Sequence, residues 1–510
     1  MKSGTSGRDE EDSLIVPKVS YTQIALSGAL WLTLAKVINV VAKLASVAIL
    51  ARLISPSEFG LFAAAGLLVS LASTLSEGTF ALPLVQRETI TPSHVQTTLW
   101  VSTCTSVLMM GLIVLAAPSA ERFFGFDGLH LIVLGLVPVI LFKSIASVGM
   151  AVLQRAHRFA ATMATMVTAQ VAGYVIPAIV LAVQGYGIWA LVWGQVVASA
   201  LEAMFACLLS RCPLRPVFDI TALRQVLRFG SFLTMARLSN WLALQVDNVV
   251  VGRVLGAEAL GLYSRSYNLL AIATQVLGDP ASRALLPAFS RMQEDRARLD
   301  SGFRRGLGIA VPFYAFVSGI AILHGEALIR LILGPRWLDA VMPLQLLFFA
   351  FVARAGYKFT ESVLLATGQF GRTALRQIIY FALIGIAAFF GSRFGVSGVA
   401  AGVSLALWIF YAISLKWVHD TIGVGWRWLV LLHVRAFVLA AFGASLDIAV
   451  QVSLAPSGYW LAQVISAAAF CGFCAGVTMT GPTWLVGLEV SDMRKLLIQK
   501  LSTRLGRFGI

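Results

Sequence analysis

Among the ionisable residues inside otherwise apolar segments, eight have types and spacing that define what they can do. Lys36, Asn39 and Lys43 stand at i, i+3 and i+7, one polar stripe along a single helix face. Arg354, Lys358 and Glu361 stand at i, i+4 and i+7 on a second stripe. Arg237, Asn240 and Asp247 share a third apolar segment with Gln245 and Asn248, and Arg265 lies on the segment after it. Arginine offers a planar fork to phosphate oxygens and lysine a compact point charge. This set binds an anion, most simply a phosphate or pyrophosphate. Lys36, Lys43, Arg237, Arg265, Arg354 and Lys358 are therefore the expected cations of a substrate cavity. Asp247 and Glu361, the acids within the stripes, are the candidates for coupling to an ion.

Nothing else in the chain points to bond-making chemistry. There is no catalytic pair of carboxylates, no nucleotide-binding loop, and no metal spacing among the six histidines. Cys471 and Cys474 have CxxC spacing, but within AAAFCGFCAGV they read as small packing residues rather than a redox or metal site. The expectation is a protein that is not an enzyme, with no catalytic residue, no metal and no cofactor.

A charge at the centre of a membrane helix costs roughly 2.5–3.5 kcal/mol on insertion scales, so the elements that carry these residues matter. The 510-residue chain is 58% hydrophobic and 12% charged, with mean hydropathy +0.84. Soluble domains carry about a quarter charged residues. Apolar segments long enough to cross about 30 Å of hydrocarbon recur throughout, and alternating barrel strands are absent. The chain reads as an all-α polytopic membrane protein. Its expected spans are 22–48, 59–85, 97–117, 129–151, 162–183, 187–209, 226–251, 261–286, 306–324, 340–366, 374–391, 396–417, 429–450 and 459–480. Residues 1–21 are polar and of mixed charge and read as a tail, not a signal peptide. Glu77 and Asp279 fall toward the ends of their spans, where an interfacial role is expected.

Lysine and arginine set the topology. With alternate loops on opposite sides, and cations within three residues of a span's end counted with the adjoining loop, the side holding both termini carries 25 of them and the other six; the remaining eight of the 39 lie deeper within spans. The positive-inside rule makes both termini cytoplasmic. The net charge of +15 is accordingly a topology signal and an attraction to anionic lipid, with no soluble module to bind nucleic acid.

The chain also repeats itself. ILARLISPSEFGLF (49–62) is matched by VVGRVLGAEALGLY (250–263), with Arg52 on Arg253, Gly60 on Gly261 and Leu61 on Leu262 at one offset of 201. Ser55-Pro56-Ser57-Glu58 reads as a capping box with proline at the first helical position. YGIWALVWGQVVA (186–198) is echoed by FGVSGVAAGVSLA (394–406), and HRF (157–159) by GQF (368–370). Six spans separate the copies, an even number, so the repeat is parallel, with an axis along the membrane normal. The expected organisation is a tail (1–21), an N-lobe of six helices (22–209), a linker (210–225), a C-lobe of six (226–417), a two-helix appendage (418–482) and a basic tail (483–510). Two such lobes around one axis are a transporter's design.

The phrase ARLISPSEFGLF, the segment ending ALPLVQRE, VVVGRVLGAEALGLYSRSYNL, PAFSRMQED and the GVSGVAAG helix resemble the polysaccharide transporter (Wzx-type) flippases of the MOP superfamily over about residues 20–420. The resemblance implies two six-helix lobes in a V around a central cavity lined mainly by helices 1, 2, 7 and 8. It implies a flippase that moves undecaprenyl-pyrophosphate-linked oligosaccharide repeat units, for exopolysaccharide, capsule or O-antigen, across the bacterial inner membrane by alternating access. A monomer is expected, with a polysaccharide polymerase and a chain-length regulator as partners. Two alternatives stand beside this reading. A multidrug or organic-cation exporter of the same superfamily is disfavoured by the excess of cations. A membrane glycan polymerase or ligase is disfavoured by the lack of a large extramembrane loop.

Overall fold

Every apolar segment of the chain resolves into helix wherever a computed structural model describes it, which is at residues 21–76, 84–85, 90–211, 220–481, 487 and 491. Glu77, the N-terminal tail through residue 20 and nearly all of the basic C-terminal tail lie outside the described residues. We label the helices in chain order: α1 Tyr21–Leu53, α2 Pro56–Ser76, α3 Pro92–Phe124, α4 Leu129–Arg155, α5 Phe159–Val183, α6 Ile188–Ser210 and α7 Ile220–Leu255. There follow α8 over 257–291, α9 Arg296–Leu323, α10 over 341–366, α11 Phe370–Gly391, α12 Gly395–Ile422, α13 Trp426–Leu454 and α14 Tyr459–Thr480. Each expected span falls on one of these helices as far as it is described.

Among the described residues, eleven helical stretches are long and apolar enough to cross a membrane, one of them joining α11 and α12. Helices α7 and α8 are not among them, because they carry the polar residues singled out above. Large apolar side chains such as Leu115, Val183, Phe390 and Val464 stand on the surface, as side chains facing hydrocarbon must.

Contacts gather the chain into two units. One holds residues to Lys43, Leu68–Ala116 and Val133–Arg237; the other holds Leu44–Leu67, Ala117–Ile132 and Leu238 onward. In the first unit, helices meet through small residues, the usual way to bring backbones close where hydrocarbon gives no hydrophobic drive between helices. A Cβ on Gly149 of α4 would lie 2.8 Å from the Ala206 carbonyl of α6, and one on Gly173 of α5 would lie 2.6 Å from Ala198 Cα. Ser144 donates to the Ser102 carbonyl at 3.1 Å, joining α4 to α3. Lys143, a cation within the α4 span, is neutralised by Glu202 of α6 at 2.6 Å.

The second unit contains both copies of the repeated phrase, and they pack on one another reciprocally. A Cβ on Gly60 would lie 1.7 Å from the Ala257 carbonyl oxygen, and one on Gly261 would lie 1.9 Å from that of Pro56. Pro56 and Ala257 are themselves related by the offset of 201, so each copy offers its glycine to the other's first helical turn. Only glycine permits so close an approach of backbones. The aromatic contacts follow the same exchange. Trp337 Nε1 donates to the Ala51 carbonyl at 2.8 Å and its ring meets Phe59 edge-on at 5.4 Å. Phe124 fills the space over Gly252 beside Leu260, the positions that match Ala51 and Phe59 in the other copy.

The two repeated arginines do parallel work. Arg52 donates to the Leu331 carbonyl at 2.8 Å, and the Arg253 guanidinium lies 5.5 Å from the centre of the Phe123 ring. Helix starts differ between the copies. The capping box forms before α2, with the Ser55 amide donating to Glu58 Oε2 at 3.0 Å and the Glu58 amide to Ser55 Oγ at 3.4 Å. Before α8 the same position is Gly256, at φ +93°.

Candidate functional site

The second stripe turns out to be the wall of a cavity in the second unit. Successive turns of α10 place Arg354, Lys358 and Glu361 along one side, α8 supplies Thr274, Gln275 and Asp279, and α11 supplies Arg376, Gln377 and Tyr380. Asn240 and Leu244 of α7 complete the lining, and the cavity encloses about 270 Å³. The α8 contribution depends on a wide turn, since Thr274–Gly278 winds as π-helix immediately before Asp279. Such a turn inserts a residue and re-aims those after it, and it is frequent at functional sites. Gly278 packs toward α10, where a Cβ would make ordinary contacts with Ala355 and the Lys358 stem at 3.6 and 3.7 Å.

Each cation in the cavity is held differently. Arg354 is 8% exposed and makes no ion pair with any described carboxylate. Its Nη1 donates to the Tyr267 hydroxyl at 2.7 Å and to the Tyr380 hydroxyl at 3.4 Å, and its guanidinium lies 4.8 Å from the Tyr267 ring centre. Lys358 is paired with Asp279 at 2.7 Å. Arg376 is 3% exposed, is paired with Glu361, and lies against the rings of Tyr357 and Phe410. Two of its remaining donors, Nε and Nη1, have no hydrogen-bond partner, and neither has Arg354 Nε. Gln377 donates to Asn240 Oδ1 at 3.0 Å across the mouth between α11 and α7.

Asp247 lies on α7 and is 1% exposed. Its carboxylate accepts from the Tyr263 hydroxyl at 2.8 Å and from the Asn248 amide at 2.9 Å. Tyr263 leans on Tyr267 with ring centres 6.0 Å apart, so an aromatic pair separates Asp247 from Arg354.

The structure therefore brings together three of the eight residues singled out from the sequence: Arg354, Lys358 and Glu361. Arg265 does not line this cavity; its guanidinium lies 4.8 Å from the Phe59 ring centre, in the reciprocal contact of the repeats. Lys36, Lys43 and Arg237 belong to the first unit. There, Lys36 and Lys43 are exposed along α1, and Asn39 between them donates to the Ala35 carbonyl at 2.8 Å.

Sequence reasoning passed over Arg376, counting it with the cytoplasmic loop cations. Helix α11 begins at Phe370, so Arg376 is nearly two turns inside it, and its place one turn before Tyr380 was the available signal. Asp279, for which an interfacial role is expected, is the partner of Lys358. The tyrosines at 267, 357 and 380 carried no periodic mark that set them apart from ordinary core.

The described residues thus form a helical membrane fold with buried cations around a polar cavity, and comparison with known proteins gives its family. The fold matches that of the lipid II flippase MurJ in an inward closed conformation, with a TM-score of 0.70 over 89% of this chain and 98% of that one at 14% identity. Residues 49–342 match the family described as Polysaccharide biosynthesis protein, and the chain belongs to that family. It is 24% identical over 426 residues to the teichuronic acid biosynthesis protein TuaB of Bacillus subtilis (strain 168), covering 83% of this chain and 86% of TuaB. It is 27% identical over 412 residues to the lipopolysaccharide biosynthesis protein WzxC of Escherichia coli (strain K12), covering 76% of this chain and 79% of WzxC. The resemblance read from the two phrases leads to the same family.

Proposed function

We propose that this protein is a flippase that carries an anionic, lipid-linked oligosaccharide repeat unit across the bacterial inner membrane, from the cytoplasmic to the outer leaflet. The observation that carries the reading is Arg354, a guanidinium 8% exposed among membrane helices and held by phenols rather than a carboxylate. A charge so placed costs several kcal/mol, which a role in binding would account for, and hydroxyl partners leave its full positive charge to act on an anion. The names of its relatives, a lipopolysaccharide biosynthesis protein and a teichuronic acid biosynthesis protein, support a cargo that belongs to the making of a surface polysaccharide.

In this reading fourteen helices cross with both termini in the cytoplasm, and two six-helix lobes rock about a shared cationic cavity. Lys36, Lys43, Arg237, Arg265, Arg354 and Lys358 supply the charge. The headgroup travels hydrated while the prenyl tail stays in lipid, because a pyrophosphate and sugar hydroxyls cannot cross about 30 Å of hydrocarbon without losing their hydration. An ion gradient or the membrane potential drives the cycle, with Asp247 and Glu361 as the coupling acids. The protein acts as a monomer beside a polymerase and a chain-length regulator.

The test is polymer export in cells that lack the native gene and carry variants. Lys36→Ala and Arg354→Ala reduce polymer at least tenfold while the protein still inserts, and a Lys36→Ala/Lys358→Ala double variant abolishes it. Undiminished polymer from that double variant would defeat the cationic cavity.

A further inference from the structure

The cavity of the second unit holds its cations in an arrangement that neutralisation alone does not explain. A buried arginine whose only task is to balance Glu361 would spend its fork on that carboxylate and its neighbours. Arg376 instead gives Glu361 a single nitrogen and leaves Nε and Nη1 unpartnered at 3% exposure. Arg354 also leaves Nε unpartnered. Buried donors without acceptors are uncommon and costly, and each calls for an explanation. Three cations, Arg354, Lys358 and Arg376, converge with two carboxylates, Asp279 and Glu361, on about 270 Å³. At about 30 Å³ per water that is room for a diphosphate and several waters.

We propose that this cavity is an oxyanion site in which Asp279 and Glu361 are placeholders. In the empty protein they hold Lys358 and Arg376. A phosphate-class anion takes those two cations, displaces the carboxylates, and satisfies the idle guanidinium donors, while Arg354 stays anchored by its tyrosines. The exchange is electrostatically matched. An arginine–carboxylate contact through one nitrogen is replaced by an arginine–phosphate pair that can use the guanidinium fork, and the displaced acids gain water. The proposal rests on the flippase reading for the identity of its ligand, a lipid-borne pyrophosphate, but the site's chemistry would equally take a free phosphate anion.

The placeholder role gives a sign that a merely structural ion pair cannot give. Removing the competing carboxylate should tighten anion binding, whereas removing a supporting residue should weaken it. Binding of farnesyl pyrophosphate, and separately of inorganic pyrophosphate, is measured calorimetrically on the purified full chain in phosphate-free buffer. Glu361→Gln and Asp279→Asn each bind the ligand about tenfold tighter than the unaltered protein, and Arg376→Lys about tenfold weaker, tenfold being about 1.4 kcal/mol. Gel filtration shows which variants are folded, and either carboxylate variant alone decides the sign. Tighter binding of farnesyl pyrophosphate than of inorganic pyrophosphate assigns the site to the lipid headgroup, and equal binding assigns it to a free anion. Failure of folded Glu361→Gln or Asp279→Asn to bind more tightly, or indifference to Arg376→Lys, overturns the site. Export that ignores all three substitutions while these binding shifts are seen would fault the transport reading alone. Export that persists while binding ignores all three substitutions would fault the site alone.

Discussion

Arg354 and Lys358 sit one turn apart on α10 yet are stabilised by different means. Lys358 has a carboxylate partner, and Arg354 has two phenols and an aromatic face. A hydrogen bond to a charged group contributes about 1.5–3 kcal/mol, and more is lost if the charge is left buried without it. The two tyrosines should therefore be unequal. Tyr267→Phe, which removes the 2.7 Å bond, lowers the thermal unfolding midpoint of the purified protein and reduces export several-fold. Tyr380→Phe, whose contact is 3.4 Å, has the smaller effect on both. Equal effects would mean that the phenols pack rather than hold the charge. The stripe of Arg354, Lys358 and Glu361 was legible in the sequence because three polar residues on an apolar face break a helix's expected pattern. Their partners were not, because Asp279, Arg376 and the tyrosines come from other helices, and spacing along one helix says nothing of what faces it.

At the scale of elements, the duplicated phrase is the contact on which the second unit is built. The sequence showed that the phrase occurs twice but not that the copies touch. A helical repeat predicts similar local structure, and only the fold brings Gly60 to Ala257 and Gly261 to Pro56. The capping box before α2 was legible for the opposite reason, since all its partners lie within four residues. With carbonyl oxygens closer than 2 Å to any added Cβ, side chains at these glycines must push α2 and α8 apart. Gly60→Val and Gly261→Val each destabilise the purified protein by about 3 kcal/mol, at the upper end for overpacking, seen as a lower unfolding midpoint. Gly66→Val, where nothing lies within 4 Å of an added Cβ, does not. An unaltered midpoint for Gly60→Val would refute the close approach.

For the whole molecule, composition alone separated a polytopic membrane protein from every soluble class. Among the described residues the hydrophobic segments overlap helices, because a membrane span must satisfy its own backbone and so writes a long, continuous signal. Helices α7 and α8, which are not among the stretches apolar enough to cross a membrane, are also the ones that carry Asp247, Arg265 and Asp279. Transport itself is tested most directly in proteoliposomes. The purified protein is reconstituted with a fluorescent prenyl-pyrophosphate oligosaccharide, and an impermeant quencher is added outside. Protein-free vesicles expose only the outer-leaflet fraction. With the protein present, quenching should proceed beyond that fraction as lipid from the inner leaflet is brought out, and the Lys36→Ala/Lys358→Ala protein should behave as empty vesicles do. Quenching that stops at the outer-leaflet fraction with the unaltered protein, under an imposed ion gradient and membrane potential as well as without them, would contradict the flippase.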